Sequence, residues 1–137
     1  MTAPLARLER ALERAALAFT PSDEAATRLA AFLELRARWS RTHNLSGPGS
    51  LDDPWSVDVV DGVAVARAAS AELPLVDVGA GSGVPGLVVA CLDPARPVAA
   101  VEPCTKRAAL LRTAAQTLGL VGVRVERARW PIELDHP

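Results

Sequence analysis

Asp77-Val78-Gly79-Ala80-Gly81-Ser82-Gly83-Val84-Pro85-Gly86 is the stretch that decides how this 137-residue chain is read. It leaves a short apolar run, Leu75-Val76-Asp77-Val78, and enters a second apolar segment that ends near Leu92. A brief apolar run closed by glycines suits a buried parallel strand, and the segment from about Pro85 to Leu92 is predicted to be a helix. Glycine tolerates positive φ and lets a ligand touch backbone where a Cβ would collide. The N–H groups opening the helix are expected to be unpaired and available to a polar ligand. Alternating glycines at 79, 81 and 83 exceed what simple chain reversal requires.

Working outward, Pro97 to Val101 is predicted as a second strand, Thr105 to Leu118 as a helix, and Val121 to Val125 as a third strand. Gly119 sits where a helix C′ glycine is common. Strand–helix–strand–helix–strand is one mononucleotide-binding half of a doubly wound α/β fold. Glu102 ends the second strand, about 20 residues beyond the glycine turn, where a carboxylate can accept hydrogen bonds from both ribose hydroxyls. A carboxylate there also repels a 2′-phosphate, which disfavours NADP. The spacing is GxGxG rather than the GxGxxG of dinucleotide sites, so a nucleoside with an amino-acid tail fits better than a pyrophosphate. Asp77 is expected to accept hydrogen bonds from N–H groups of the turn. The candidate ligand-binding residues are therefore Asp77, Gly79, Ala80, Gly81, Gly83, Val84 and Glu102.

Upstream, Leu5, Leu8, Leu12, Ala15, Ala16 and Phe19 recur at helical spacing. Thr20 is read as the N-cap of a second helix, with Pro21 in its first position and Asp23 in its first turn. That helix is expected to reach about Arg41 with Leu29, Phe32, Leu33 and Trp39 inward. Residues 44–54 read as a loop, and Trp55 to Ala71 as a third helix. The division is an N-terminal helical segment, 1–72, and a βαβαβ cofactor-binding half, 73–137, forming one globular unit.

Composition excludes several classes. With 16 acidic and 15 basic residues the net charge is −1, so a polyanionic partner would have to meet a local patch. Cys91 and Cys104 offer neither a disulfide framework nor metal-ligand spacing and are read as reduced, buried thiols; no metal site is expected, and His43 and His136 lack partners at ligand spacing. The start, Met1-Thr2-Ala3-Pro4, has no secretory pattern. The longest apolar stretch, Val84 to Leu92, is too short to span a bilayer. A cytoplasmic protein without membrane association is expected.

At these residues the chain resembles a known family. Asp77 to Gly86, with its Val84-Pro85-Gly86 ending, is similar to the cofactor motif of the bacterial small-subunit (16S) ribosomal RNA guanine-N7 methyltransferases of the GidB type. Trp39 followed by Asn44-Leu45-Ser46 resembles that family's tryptophan and Asn-Leu-Thr segment, and Glu102 with Lys106-Arg107 and Leu110-Leu111-Arg112 resembles its acidic residue, Lys-Arg pair and helix. The resemblance runs from about Leu29 to Arg129. It implies an α/β, Rossmann-like S-adenosylmethionine-dependent methyltransferase fold, here a partial parallel sheet with N-terminal helices. It also implies S-adenosyl-L-methionine as cofactor and 16S ribosomal RNA as partner. Ala128 and Arg129 match the positions that lie against the cofactor's base, and Asn44 matches one that braces the cofactor loop. Methyl transfer needs mainly alignment and exclusion of water, and guanine N7 needs no base, so no catalytic acid or base is named.

Three departures qualify the resemblance. The family's His-x-x-Asp-Ser segment reads Asp58-Val59-Val60-Asp61-Gly62 here. Its Arg-Ala-Glu after the third strand reads Arg127-Ala128-Arg129, which removes an acceptor carboxylate near the adenine amine. Its later half, including a fourth strand, has no counterpart, so the first strand is expected to present an open edge. A homodimer, a partner protein, or the N-terminal helices acting as a lid would cover it. Arg36, Arg38 and Arg41 offer RNA-phosphate contacts, although Arg36 and Arg38 point to different helix faces and a solvated charged helix is the simpler account. Arg41, Asn44 and Lys106 are the candidate substrate-binding residues. The leading expectation is a methyltransferase of this type. The alternatives are a non-catalytic cofactor-binding or assembly module derived from it and, against the glycine spacing, a nicotinamide-binding protein.

Overall fold

The apolar runs flanking the glycine stretch become three parallel strands, β1 (Leu75–Val78), β2 (Val98–Val101) and β3 (Val123–Glu126), in the order β1-β2-β3. The computed structural model describes residues 2–43 and 52–131. The connecting helices are α4 (Gly86–Leu92) and α5 (Thr105–Thr117); α1 (Ala3–Arg14), α2 (Asp23–His43), a π-helical turn (Trp55–Val59) and α3 (Val60–Ala68) precede the sheet. Each predicted strand and helix is present; most ends fall within three residues of expectation, but the first helix stops at Arg14, five residues before Phe19.

Strand register explains which side chains are buried. Leu75, Val98 and Val123 stand opposite one another, as do Asp77, Ala100 and Val125. Side chains alternate along a strand, so these rows share one face, and their apolar members join the core under the helices. Val76, Ala99 and Arg124 occupy the other face and are only half-buried. The sheet is therefore covered on one side by the described elements, not on both. β1 lies at one edge, with Val78 50% exposed, and no strand pairs with its outer side among the described residues. Among the described residues α2 packs on α4 and α5 rather than along the outer side of β1.

Two helix boundaries differ from expectation. Leu5 N–H donates to Thr2 Oγ1 at 3.3 Å and starts α1, which ends before Ala16, where φ is 54°. Leu17 and Phe19 then pack against the core from the connection rather than from the helix. At α2, Ala25 N–H donates to Ser22 Oγ at 3.1 Å, so Ser22 rather than Thr20 is the cap, and Pro21 stays outside the helix. The cap forms at the hydroxyl that lies three residues before a free N–H.

α2 carries the largest correction. Arg36 is not part of a solvated charged face: it is 1% exposed, and its Nη1 lies 2.7 Å from Asp58 Oδ2 in the π-helical turn. Its guanidinium also stands 6.0 Å from the Phe32 ring centre. Asp58 is buried, whereas Asp61 is exposed. The segment predicted as one helix from Trp55 to Ala71 thus begins as a π turn, a geometry that locally re-aims side chains. Trp39 is half-buried against the core, as its helical spacing suggested, and Trp55 is buried.

Removing one partner of a buried ion pair strands the other charge in low dielectric. Arg36→Ala is expected to lower unfolding free energy by about 3–5 kcal/mol, read as a drop in urea midpoint. The double change Arg36→Met with Asp58→Val is expected to recover most of that loss. A double variant no more stable than Arg36→Ala would refute this account of the pair.

Candidate functional site

Parallel strands deliver their carboxyl ends to one edge of the sheet, and the loops leaving them form a crevice there. In this chain the crevice is framed by the 79–85 loop after β1, Glu102 after β2, and Arg127 to Arg129 after β3. The glycine loop is held mainly through hydrogen bonds that its backbone N–H groups donate. Gly79 and Ala80 N–H groups donate to the Val101 carbonyl at 2.8 and 3.1 Å, and Gly83 N–H donates to the Ala80 carbonyl at 2.8 Å. Leu87 N–H donates to the Gly83 carbonyl at 2.8 Å, and Gly86 N–H donates to Asp77 Oδ2 at 3.0 Å. The expectation of an open row of donors at the start of α4 is corrected in part: the N–H groups of Gly83, Gly86 and Leu87 are taken up within the fold.

The glycines divide by what surrounds them. A Cβ on Gly86 would stand 2.7 Å from Asp77 Oδ2, and one on Gly83 would stand 2.9 Å from Phe32 Cζ. These two are small because neighbours press on them. Gly79 and Gly81 have φ of +71° and +56°; a Cβ on Gly79 would meet nothing within 4 Å, and one on Gly81 only the Gly79 carbonyl oxygen at 3.8 Å. Positive φ is costly for other residues, and the side that their missing side chains would occupy is open. That is a cradle floored by backbone.

Glu102 closes the cradle. Its Oε1 accepts the Gly81 N–H at 2.9 Å and its Oε2 accepts the Cys104 N–H at 2.8 Å. The residue is 3% exposed. An ionised carboxylate has about four acceptor sites, so two remain for hydroxyl donors. Asp77 lies deeper. Burial pushes its carboxyl above the ordinary range, the Gly86 N–H pulls the other way, and the nearby Glu102 charge raises it further.

The structure thus brings Asp77, Gly79, Gly81, Gly83 and Glu102 together. Ala80 is 1% exposed and belongs to the core, and Val84 packs half-buried against it. Ala128 is half-buried with its N–H on the Glu126 carbonyl at 3.0 Å, and Arg129 is exposed. Lys106 is exposed in the first turn of α5. Arg41 is exposed in the last turn of α2, and no hydrogen bond or ion pair joins it to the glycine loop among the described residues. Asn44 lies outside the described residues. Cys91 is buried, which pushes its thiol up to about 12, but Cys104 is exposed, because it sits at the turn into α5 rather than within the strand. No group of metal-ligating side chains occurs among the described residues.

Two participants were not assigned to the site from sequence. Phe32 is core, as its spacing predicts, and it is also the floor beneath Gly83. Arg127 Nη1 donates to Thr105 Oγ1 at 3.3 Å, tying the end of β3 to the start of α5. Only its place directly after a strand, beside the ligand-side edge, hinted at this.

A parallel α/β unit with a glycine loop after its first strand and an acidic tip on its second has the architecture of the Rossmann-like methyltransferase class. A profile of the family described as rRNA small subunit methyltransferase G (GidB) matches residues 25–133. The chain is 40% identical over 111 residues to the ribosomal RNA small subunit methyltransferase G of Brucella ovis, covering 79% of this chain and 52% of that protein. It is 34% identical over 123 residues to the protein of the same name from Dichelobacter nodosus, covering 88% and 58% respectively. The chain belongs to the rRNA small subunit methyltransferase G family, and it spans about half the length of these curated relatives.

The raised Asp77 carboxyl makes a signed prediction. A group whose folded pKa lies above its unfolded value stabilises the fold at low pH and loses that contribution as pH rises through the folded value. Asp77→Asn retains an acceptor for Gly86 N–H and removes the charge. Its melting temperature relative to the natural chain is therefore expected to climb from about pH 4 toward pH 7. A difference that stays flat across that range in thermal unfolding would contradict the assignment.

Proposed function

We propose that the chain binds S-adenosyl-L-methionine in the Gly79–Gly83 cradle and takes part in N7 methylation of a guanine in 16S ribosomal RNA. The observation that carries this reading is the pairing of an open, side-chain-free surface at Gly79 and Gly81 with the Glu102 carboxylate. The residues fit the cofactor. Gly79 and Gly81 leave room for a flat adenosyl group, and Glu102 keeps acceptor sites for two ribose hydroxyls. Asp77 supports from below by fixing Gly86, not by touching the ligand.

The cofactor supplies an activated methyl group on a sulfonium, so the protein's share is alignment and exclusion of water. Guanine N7 has a lone pair at neutral pH and asks for no proton acceptor. The backbone of the loop and Glu102 orient the donor; Lys106, Arg41 and Asn44 are assigned to the RNA. Ala128 and Arg129 border the adenine. Arg129, in place of the family's glutamate, gives no acceptor to the adenine amine and favours a second reading, a cofactor-binding module without transfer activity. The proposal places the chain in the cytoplasm, and no helix of the described residues is long and apolar enough to cross a membrane. The open edge of β1 is assigned to a second copy or a partner protein.

Calorimetric titration with S-adenosylhomocysteine tests the site, and transfer of labelled methyl groups to ribosomal RNA tests the reaction. Micromolar binding is expected. Gly81→Val, strained at φ +56° and intruding on the cradle, is expected to weaken that binding on the order of a hundredfold while leaving helical circular dichroism intact. Normal binding by Gly81→Val would move the pocket elsewhere. Binding without transfer would establish the module reading.

A further inference from the structure

The near-neutral net charge conceals a strong asymmetry. From Pro103 to Pro131 the chain has six basic residues and one acidic, a net of +5, against −1 for the whole. The acid, Glu126, is paired to Arg124 at 3.1 Å. Lys106, Arg107 and Arg112 on α5, with Arg127 and Arg129 after β3, remain. Among the described residues, none of these five lies within ion-pair distance of a carboxylate.

Geometry gathers them. The Arg127–Thr105 hydrogen bond, 3.3 Å, holds a guanidinium over the first turn of α5, where Lys106 and Arg107 stand. That turn contains no acidic residue and no side-chain cap. Cations crowded at the positive end of a helix repel both the dipole and one another, so the arrangement costs stability unless an anion lies across it. Next to these charges Trp130 is 51% exposed. Cations interleaved with an exposed indole suit a strand whose phosphates and base faces are both accessible. The patch starts beside Glu102, whose Oε2 holds the Cys104 N–H at the turn into α5.

We infer that the surface formed by Lys106, Arg107, Arg127, Arg129 and Trp130 is the docking face for single-stranded RNA leading into the cradle. Phosphates lie on the cations and a base stacks on Trp130. This rests on the proposed reading that RNA is the substrate. It adds the location of contact and the single-stranded form of the RNA. An anionic membrane is the less suitable partner, because the patch offers one indole and no apolar helical face.

Fluorescence anisotropy of the full chain with a fluorescein-labelled single-stranded RNA oligonucleotide, across a series of KCl concentrations, tests it. Replacing Lys106, Arg127 and Arg129 together by alanine is expected to make the slope of log affinity against log salt shallower by about two. Trp130→Ala is expected to weaken binding on the order of tenfold with the slope unchanged. Alanine at Arg10, Arg14 and Arg67, which are also exposed, is expected to change neither. If the triple patch variant does not fold, the single Lys106→Ala and Arg129→Ala proteins should each lose about 0.7 of slope. An unchanged slope in the patch variants overturns the proposal. So does an equal loss in the Arg10/Arg14/Arg67 control, or tighter binding to phosphatidylglycerol vesicles than to RNA. Titration of the natural chain with S-adenosylhomocysteine, run alongside, judges the cofactor reading separately: RNA binding that maps to the patch without cofactor binding would sink that reading and leave this surface standing.

Discussion

One carboxylate organises the ligand-side edge of this molecule. Glu102 receives the Gly81 N–H on one oxygen and the Cys104 N–H on the other, so a single buried side chain joins the loop after β1 to the helix after β2. Hydrogen bonds to an ionised acceptor are among the stronger ones available to a protein, and here both donors are backbone groups that the turn would otherwise leave unsatisfied. The Gly81 N–H is fixed in this way, and with it the positive-φ shape of the loop.

That loop is also supported from beneath by residues far away in sequence. Phe32 lies against Gly83, and one helical turn later Arg36 is anchored to Asp58. The ion pair holds α2 against the π-helical turn, and α2 in turn packs on α4 and α5. The N-terminal helices therefore act on the site through packing, as a floor that prevents the glycine loop from sinking. This is why the 1–72 and 73–137 portions share one hydrophobic core even though the motif lies wholly in the second. Arg96 performs a matching task at the opposite end of the sheet, where its buried guanidinium donates to the Ser70 carbonyl at 2.8 Å and steadies the entry into β1.

How much of this was legible in advance depended on whether the cause was local. The strands, the glycine loop, Asp77 and Glu102 could be read because strand length, φ preference and position at a strand tip are properties of a few adjacent residues. Arg36 was misread although its position carried a signal: it stands seven, four and three residues after Leu29, Phe32 and Leu33, squarely on the apolar stripe of α2. A charge on such a stripe demands a buried partner, and Asp58 supplies it from another element, which no local pattern shows. The Ser22 cap is hidden for a smaller reason, since Thr20 followed by proline already fits the N-cap pattern. The internal use of the loop's N–H groups depended on Val101 and Ala80 carbonyls brought near by folding. Backbone pairing of that kind has no signature in side-chain type.

Charge distribution links the cradle to its surroundings. The segment from Pro103 to Pro131 is net +5 within a chain of net −1, so the remaining residues are net −6. A polyanion approaching at random is repelled by most of the molecule and attracted to one edge, and such fields orient encounters over a Debye length of about 8–10 Å. Under the proposed function, Arg129 in place of the glutamate that the resemblance implies removes an acceptor from the adenine side and adds charge to the basic face. The cradle tolerates it because its shape depends on Glu102 and the loop backbone, neither of which Arg129 touches.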